Sequence, residues 1–107
     1  MNKFLLADDY QHECARTVGD ASLAVLALGL AGEAGEVVDL VKKHIGHGHE
    51  LDKAKLCAEL GDLQWYLAMI ALYTGCSLSA VMTENVEKLR RRYPDGFSSE
   101  ASRNRSE

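Results

Sequence analysis

An all-α fold is what this sequence predicts, and three observations carry the prediction. The 107 residues include one proline and nine glycines, with no long alternating run of β-branched residues of the kind that builds strands. Apolar residues instead return every three or four positions, the spacing of one helical face. Ser, Asp and Gly stand where such faces begin and end, and these are the residues that cap helices. A chain of this length is one small domain, placed at residues 1–97. The polar stretch SSEASRNRSE, residues 98–107, reads as a disordered tail.

The first helix is expected over residues 7–18, with Asp8 and Asp9 at its positive N-terminal end. Gly19 and Asp20 break it, and either Asp20 or Ser22 is placed to cap the second, at residues 21–45, which ends in the loop GHGHE. Asp52 caps the third helix, which continues to Tyr73 and stops at Thr74 and Gly75. Ser77 caps the fourth, residues 78–92, whose three arginines sit at its negative C-terminal end. Pro94 and Gly96 close the domain. Because the GHGHE connection is short, the long second and third helices become the central antiparallel hairpin of a short four-helix bundle. Residues 21–31 are apolar on nearly every side of their helix. A monomer this small has too little protein to cover such a helix, so burial against a second copy is predicted.

Composition narrows the function classes. A net charge of −4 argues against binding polymeric nucleic acid, which calls for a basic surface, but not against single nucleotides. Cys14, Cys57 and Cys76 are odd in number, widely spaced and without a CxxC pair, the pattern of reduced thiols that pack as small residues in a cytoplasmic protein. The N-terminal apolar run is too short for a signal peptide, and residues 21–31 fall short of the roughly 20 needed to cross a bilayer. No membrane partner is expected.

The candidate site begins with an anomaly in the second helix, GLAGEAGEVVDLVKK, residues 29–43. Leu26, Leu30, Glu33, Val37 and Leu40 share one face, so Glu33 interrupts an apolar stripe; Glu36 lies one turn on. Gly29, Gly32 and Gly35 also recur every three residues, each at a cost of about 1 kcal/mol relative to alanine. Close approach of a neighbouring helix or a ligand would account for that cost. The third helix carries two stripes. Leu56, Leu60, Leu63, Leu67 and Ile70 read as the core seam, and Glu59, Asp62, Tyr66, Met69 and Tyr73 as a second line, acidic and then aromatic. Glu-x-x-Glu and Glu-x-x-Asp lie about ten residues either side of one turn, which sets the four carboxylates at similar heights on paired helices. Either pair alone is commonplace on a solvated helix. Together, on half-buried faces, they would repel one another unless a cation neutralised them. An all-oxygen ligand set suits Mg²⁺, with Mn²⁺ as a substitute, and points to metal-assisted attack of water on a phosphate.

These segments, with CAELGDLQWYLAMIA, NVEKLRRRYPDGF and the opening DDYQHECART, resemble the MazG-like all-α nucleoside triphosphate pyrophosphohydrolases over residues 8–97. The resemblance implies cleavage of a nucleoside triphosphate between its α and β phosphates, giving the monophosphate and pyrophosphate. It implies Mg²⁺ held by Glu33, Glu36, Glu59 and Asp62, with Asn85 supporting the site and Lys88 reaching a phosphate. It also implies a homodimer or homotetramer with sites near or across subunit contacts. One of the four carboxylates, taken as Glu36 although the sequence does not single it out, would orient or deprotonate the attacking water, and Glu33 and Lys88 are counted with it as catalytic. Arg92, one turn from Lys88, faces the same anion or complements the helix dipole. Tyr66, one turn beyond Asp62, is a candidate to flank base or ribose; Trp65 is expected in an interface. Gln11 and His12 read as helix surface within reach of a base, and His44, His47 and His49 as a polar turn rather than a zinc site. The alternative function is a catalytically silent dimerisation module of the same fold. A di-iron bundle would use Glu-x-x-His pairs, which Glu36 and Asp62 do not complete.

Overall fold

The computed structural model describes residues 4–105, so residues 1–3 of the domain and 106–107 of the tail lie outside the described residues. The chain is all-helical, in the order α1 (Ala7–Ala15), α2 (Leu23–His47), α3 (Lys53–Tyr73), α4 (Leu78–Arg92) and α5 (Ser99–Arg103). Four starts are written in the sequence as caps. Ser22, Asp52, Ser77 and Ser98 each accept a hydrogen bond from the amide three residues on, at Val25, Lys55, Ala80 and Ala101. Where a disordered tail was expected, Ser98 caps the short helix α5.

Helix α1 stops at Ala15, short of the expected residue 18. Its last amides fold into tighter bonds, Arg16 to Glu13 and Thr17 to Cys14, and the Thr17 hydroxyl also donates to the Cys14 carbonyl at 3.0 Å. Helix α2 runs past residue 45 to His47 and ends at Gly48, whose φ of 72° is left-handed backbone that a side chain would strain. His44 Nδ1 meets the His49 carbonyl at 2.8 Å and closes this turn.

Helix α2 packs mainly on α3, while α1 lies against both α3 and α4. The fully buried side chains Leu26 and Met69, each 1% exposed, join Cys14, Ala68 and Leu78 where these helices meet. The core therefore occupies one end of the α2–α3 pair, and residues 41–50 at the other end are exposed. The expected division of α3 holds only in part: Leu56, Leu63 and Ile70 of the seam are half-buried, and Asp62 and Tyr73 of the acid line are exposed. Glu59, Tyr66 and Met69 face inward, while Leu60 and Leu67 of the expected seam are 46% and 44% exposed. Helix α3 packs against α1, α2 and α4, so residues of both stripes, Ile70 as well as Tyr66 and Met69, meet a neighbour.

Helix α4 leaves α3 at a bend of 101°. Its start is fixed from α1. Asp8 accepts from the Ser79 amide at 2.8 Å and the Ser79 hydroxyl at 2.7 Å, holding its carboxyl below the usual carboxylate range. Gln11, expected on the surface, is 5% exposed and bonds three segments together. Its amide nitrogen donates to the Ala68 and Cys76 carbonyls at 3.0 and 3.1 Å, and its oxygen accepts from the Leu78 amide at 2.9 Å. The resulting chain is open, with a radius of gyration of 16.9 Å where a compact domain of about a hundred residues has about 13 Å. Among the described residues, no single helix is long and apolar enough to cross a membrane.

Candidate functional site

Three of the four sequence-predicted carboxylates converge. Ligand oxygens of Glu33 on α2 and of Glu59 and Asp62 on α3 all lie within 4.8 Å of one another. Helical spacing places them: Glu59 and Asp62 share a face one turn apart, opposite the stripe of α2 that holds Leu26, Leu30 and Glu33. Glu36 is exposed and stands outside this trio, yet its charge still acts on Glu33. One Glu33 oxygen, Oε2, is enclosed by protein and accepts no hydrogen bond from the described residues. The Glu33 carboxyl is pushed above its ordinary range, first by a hydrogen bond shared with Glu59, then by desolvation, then by the charges of Asp62, Glu59 and Glu36. Crowded acids of this kind are relieved by a proton or a cation, and an all-oxygen set with an oxygen left without a donor fits a hard divalent ion.

A carboxyl with a raised folded-state pKa contributes stability at low pH that is lost as pH rises through that pKa; a lowered one acts in the opposite sense. The cation-free protein is therefore expected to melt highest in mild acid. Below that window the Asp8 cap is protonated and lost, and above it Glu33 ionises among its neighbours. Melting temperatures measured from pH 3.5 to pH 8 in chelator check this, and a flat profile above the carboxylate range contradicts it.

The trio opens into a cleft of about 380 Å³ lined by Thr17, Glu33, Asp62, Trp65 and Tyr66. Within the single chain Trp65 is held at this cleft: its indole Nε1 donates to the Thr17 hydroxyl at 2.9 Å. The Tyr66 ring stands edge-on to it, with centroids 4.9 Å apart and planes at 83°. Tyr10 on α1 lines a different concavity, and its phenol is pushed up to about 12 by burial, by a bond with and the charge of Cys14, and by the negative charge of Asp62.

The glycines of α2 now separate. A Cβ at Gly29 would overlap Cε1 and Cζ of Tyr66, so this glycine makes room for an aromatic ring; Gly32 and Gly35 face open space in the single chain. Gly29→Ala gains about 1 kcal/mol of helix propensity but overpacks the ring at about 1–3 kcal/mol, so a net loss near 1 kcal/mol is expected. Melting curves of Gly29→Ala and of the double variant with Tyr66→Ala check it, since removing the ring should turn the same alanine into a gain.

The sequence-predicted residues of α4 lie elsewhere. Asn85 and Lys88 line a second concavity of about 330 Å³ with Val81, Glu84 and Arg91, and none of the four acids reaches it. Arg92 is half-buried near the end of α4 and lines neither. Cys14 packs in the core as expected, whereas Cys57 and Cys76 are exposed. His12 is exposed on α1.

Fold and cleft together define an all-α protein with a carboxylate cluster between two long paired helices. The chain belongs to the MazG nucleotide pyrophosphohydrolase domain family, whose model matches residues 21–97. It is also similar to the gene 37 protein of Mycobacterium phage L5, 38% identical over 78 residues, 69% of this chain and 68% of that protein. No solved structure gives a match. Helix α1, with Gln11, and the turn after it, with Thr17, precede the matched segment.

Proposed function

We propose that this chain is a Mg²⁺-dependent nucleotide pyrophosphohydrolase of the nucleotide pool. It would cleave (d)NTP between the α and β phosphates to (d)NMP and pyrophosphate. The observation that carries the proposal is the trio Glu33, Glu59 and Asp62, with its enclosed and undonated Glu33 oxygen. These three, with exposed Glu36 one turn away, would hold the ion, Mn²⁺ being a substitute for Mg²⁺. Bound there, the ion would supply charge neutralisation for the triphosphate. Water is added across the anhydride: its proton goes to Glu36, its hydroxyl to one phosphorus, and the electron pair of the broken P–O bond leaves with the departing phosphate. Glu36 suits that role because its side chain faces solvent beside the trio, where water enters.

Asn85, Lys88 and Arg92 would complete the phosphate contacts from α4. Within one chain Asn85 and Lys88 line a different concavity, so a homodimer or homotetramer that lays α4 of one copy along the cleft of another would bring them in. Exposed Leu28, Leu60, Leu67, Val86 and Leu89 offer apolar faces for such contacts. The four-helix bundle around the α2–α3 hairpin would then form between copies. A cytoplasmic enzyme acting on free nucleotides fits this scheme.

The test is hydrolysis of normal and damaged NTPs and dNTPs with Mg²⁺, Mn²⁺ or chelator, resolving mono-, di- and pyrophosphate, with Glu36→Gln alongside. Metal-dependent release of monophosphate and pyrophosphate, lost in the variant, is expected. Diphosphate with orthophosphate would move the cut to the β–γ bond. No turnover by a folded, metal-loaded oligomer would leave a silent dimerisation module.

A further inference from the structure

We propose that Trp65, held in place by Thr17, is the face on which the base of the bound nucleotide stacks, and that this contact accepts any base. The inference rests on the nucleotide-hydrolysing function proposed above and concerns the end of the cleft that the acids leave free.

Two of the five side chains lining the cleft are carboxylates, and the other three are a hydroxyl and two aromatic rings. Along α3 the polarity is directional. Asp62 belongs to the trio, and Trp65 follows three residues later, about 4.5 Å further along the helix axis. A triphosphate held at the acids therefore points its nucleoside at neutral, aromatic wall. The cleft's volume of about 380 Å³ lies within the range of roughly 300–1,000 Å³ that small-molecule sites span.

The hydrogen bonds at this wall decide how it can recognise a base. The indole N–H is spent on Thr17. The Thr17 hydroxyl has one hydrogen, and that is spent on the Cys14 carbonyl, which aims an oxygen lone pair at the indole. Neither side chain has a donor left for a base edge. What the wall offers is an immobilised indole face. Tyr66 cannot take its place, because its ring is wedged over Gly29 and set edge-on against Trp65. Every base has a π-face, so stacking adds affinity without selecting a sequence of donors and acceptors. Thr17 is then a positioning residue, contributed from outside the segment matched to the family.

Trp65 is the chain's single tryptophan, so its emission reports on this wall alone. The full chain is titrated, in Mg²⁺, with the non-hydrolysable α,β-methylene analogues of dATP, dGTP, dCTP and dTTP, and with inorganic tripolyphosphate as the base-free probe. The four analogues, but not tripolyphosphate, should quench Trp65, with dissociation constants within about tenfold of one another. By calorimetry, Trp65→Ala should weaken every analogue between about fivefold and 150-fold and leave tripolyphosphate unchanged. Trp65→Phe should retain most of the affinity and serves if the alanine variant does not fold. Thr17→Val should shift the Trp65 emission and weaken the analogues, and Thr17→Ser should restore both.

Three results would overturn the proposal while leaving the phosphate chemistry intact. They are a folded Trp65→Ala or Trp65→Phe protein lacking these effects, analogues that leave Trp65 emission unmoved, or constants that differ by more than about 100-fold between bases, as hydrogen-bond readout produces. A wild-type protein that binds neither tripolyphosphate nor any analogue would overturn both this inference and the function beneath it.

Discussion

Glutamine at position 33 is expected to raise the melting temperature of the metal-free protein and, in the same variant, to remove its activity. The two effects have one cause. The Glu33 carboxyl is hindered from ionising by its bond with Glu59, by desolvation and by three neighbouring charges. A glutamine amide keeps the shape, donates to Glu59 without borrowing a proton, and carries no charge for Asp62 to repel. Stability should therefore increase above the window where Glu33 ionises, and the alkaline fall in the melting profile should flatten. The same substitution removes a ligand from the trio, and loss of one preorganised electrostatic partner costs roughly 10²–10³ in turnover. The increase in melting temperature on adding Mg²⁺ should shrink with it. A Glu33→Gln protein that is less stable without metal, or keeps the full Mg²⁺ increment, would show that these acids are solvated rather than crowded.

The second large effect lies at Gln11, away from the carboxylates. Gln11→Ala removes three hydrogen bonds, each worth about 1 kcal/mol net, and strands the Leu78 amide at the start of α4. A loss of about 3 kcal/mol is expected, which in a chain of this size lowers the melting temperature by roughly 10–20 °C. Protein concentration must be held fixed, because an oligomer's melting point depends on it. A shift of under about 3 °C would mean that water replaces the side chain readily.

Helix boundaries were the most legible part of the sequence, because caps are local. The start of α4 at Leu78 and the end of α3 at Tyr73 follow from Ser77 and from Thr74–Gly75 with no knowledge of the rest. The acids of Glu-x-x-Asp and Glu33 were legible because charge on an apolar stripe is a contradiction that only tertiary structure resolves. Which residues of the two α3 stripes turn inward was not legible. Leu60–Leu67 and Tyr66–Met69 have the same period, and the choice depends on Gly29 accepting the Tyr66 ring from another helix. Gln11 was misplaced for a related reason: its partners are 57 to 67 residues away, and nothing in DDYQHECART marks a glutamine that bonds to distant carbonyls. Thr17 and Trp65 are 48 residues apart. A hydroxyl–indole pair has no spacing to detect.

The side-chain hydrogen bonds that fix the start of α4 come from α1, across 67 to 71 residues of sequence. Contacts of such separation close late and open early, whereas α2 and α3 meet through a short turn. The amides of α4 should thus exchange with deuterium through a partial opening that leaves the α2–α3 pair protected. Transient release of α4 would expose Leu78 and its neighbours to proteases or chaperones while the carboxylates stay assembled. Turnover of the protein in the cell would then be set by how firmly the start of α4 is held, a grip to which the nine-residue helix α1 supplies the hydrogen bonds.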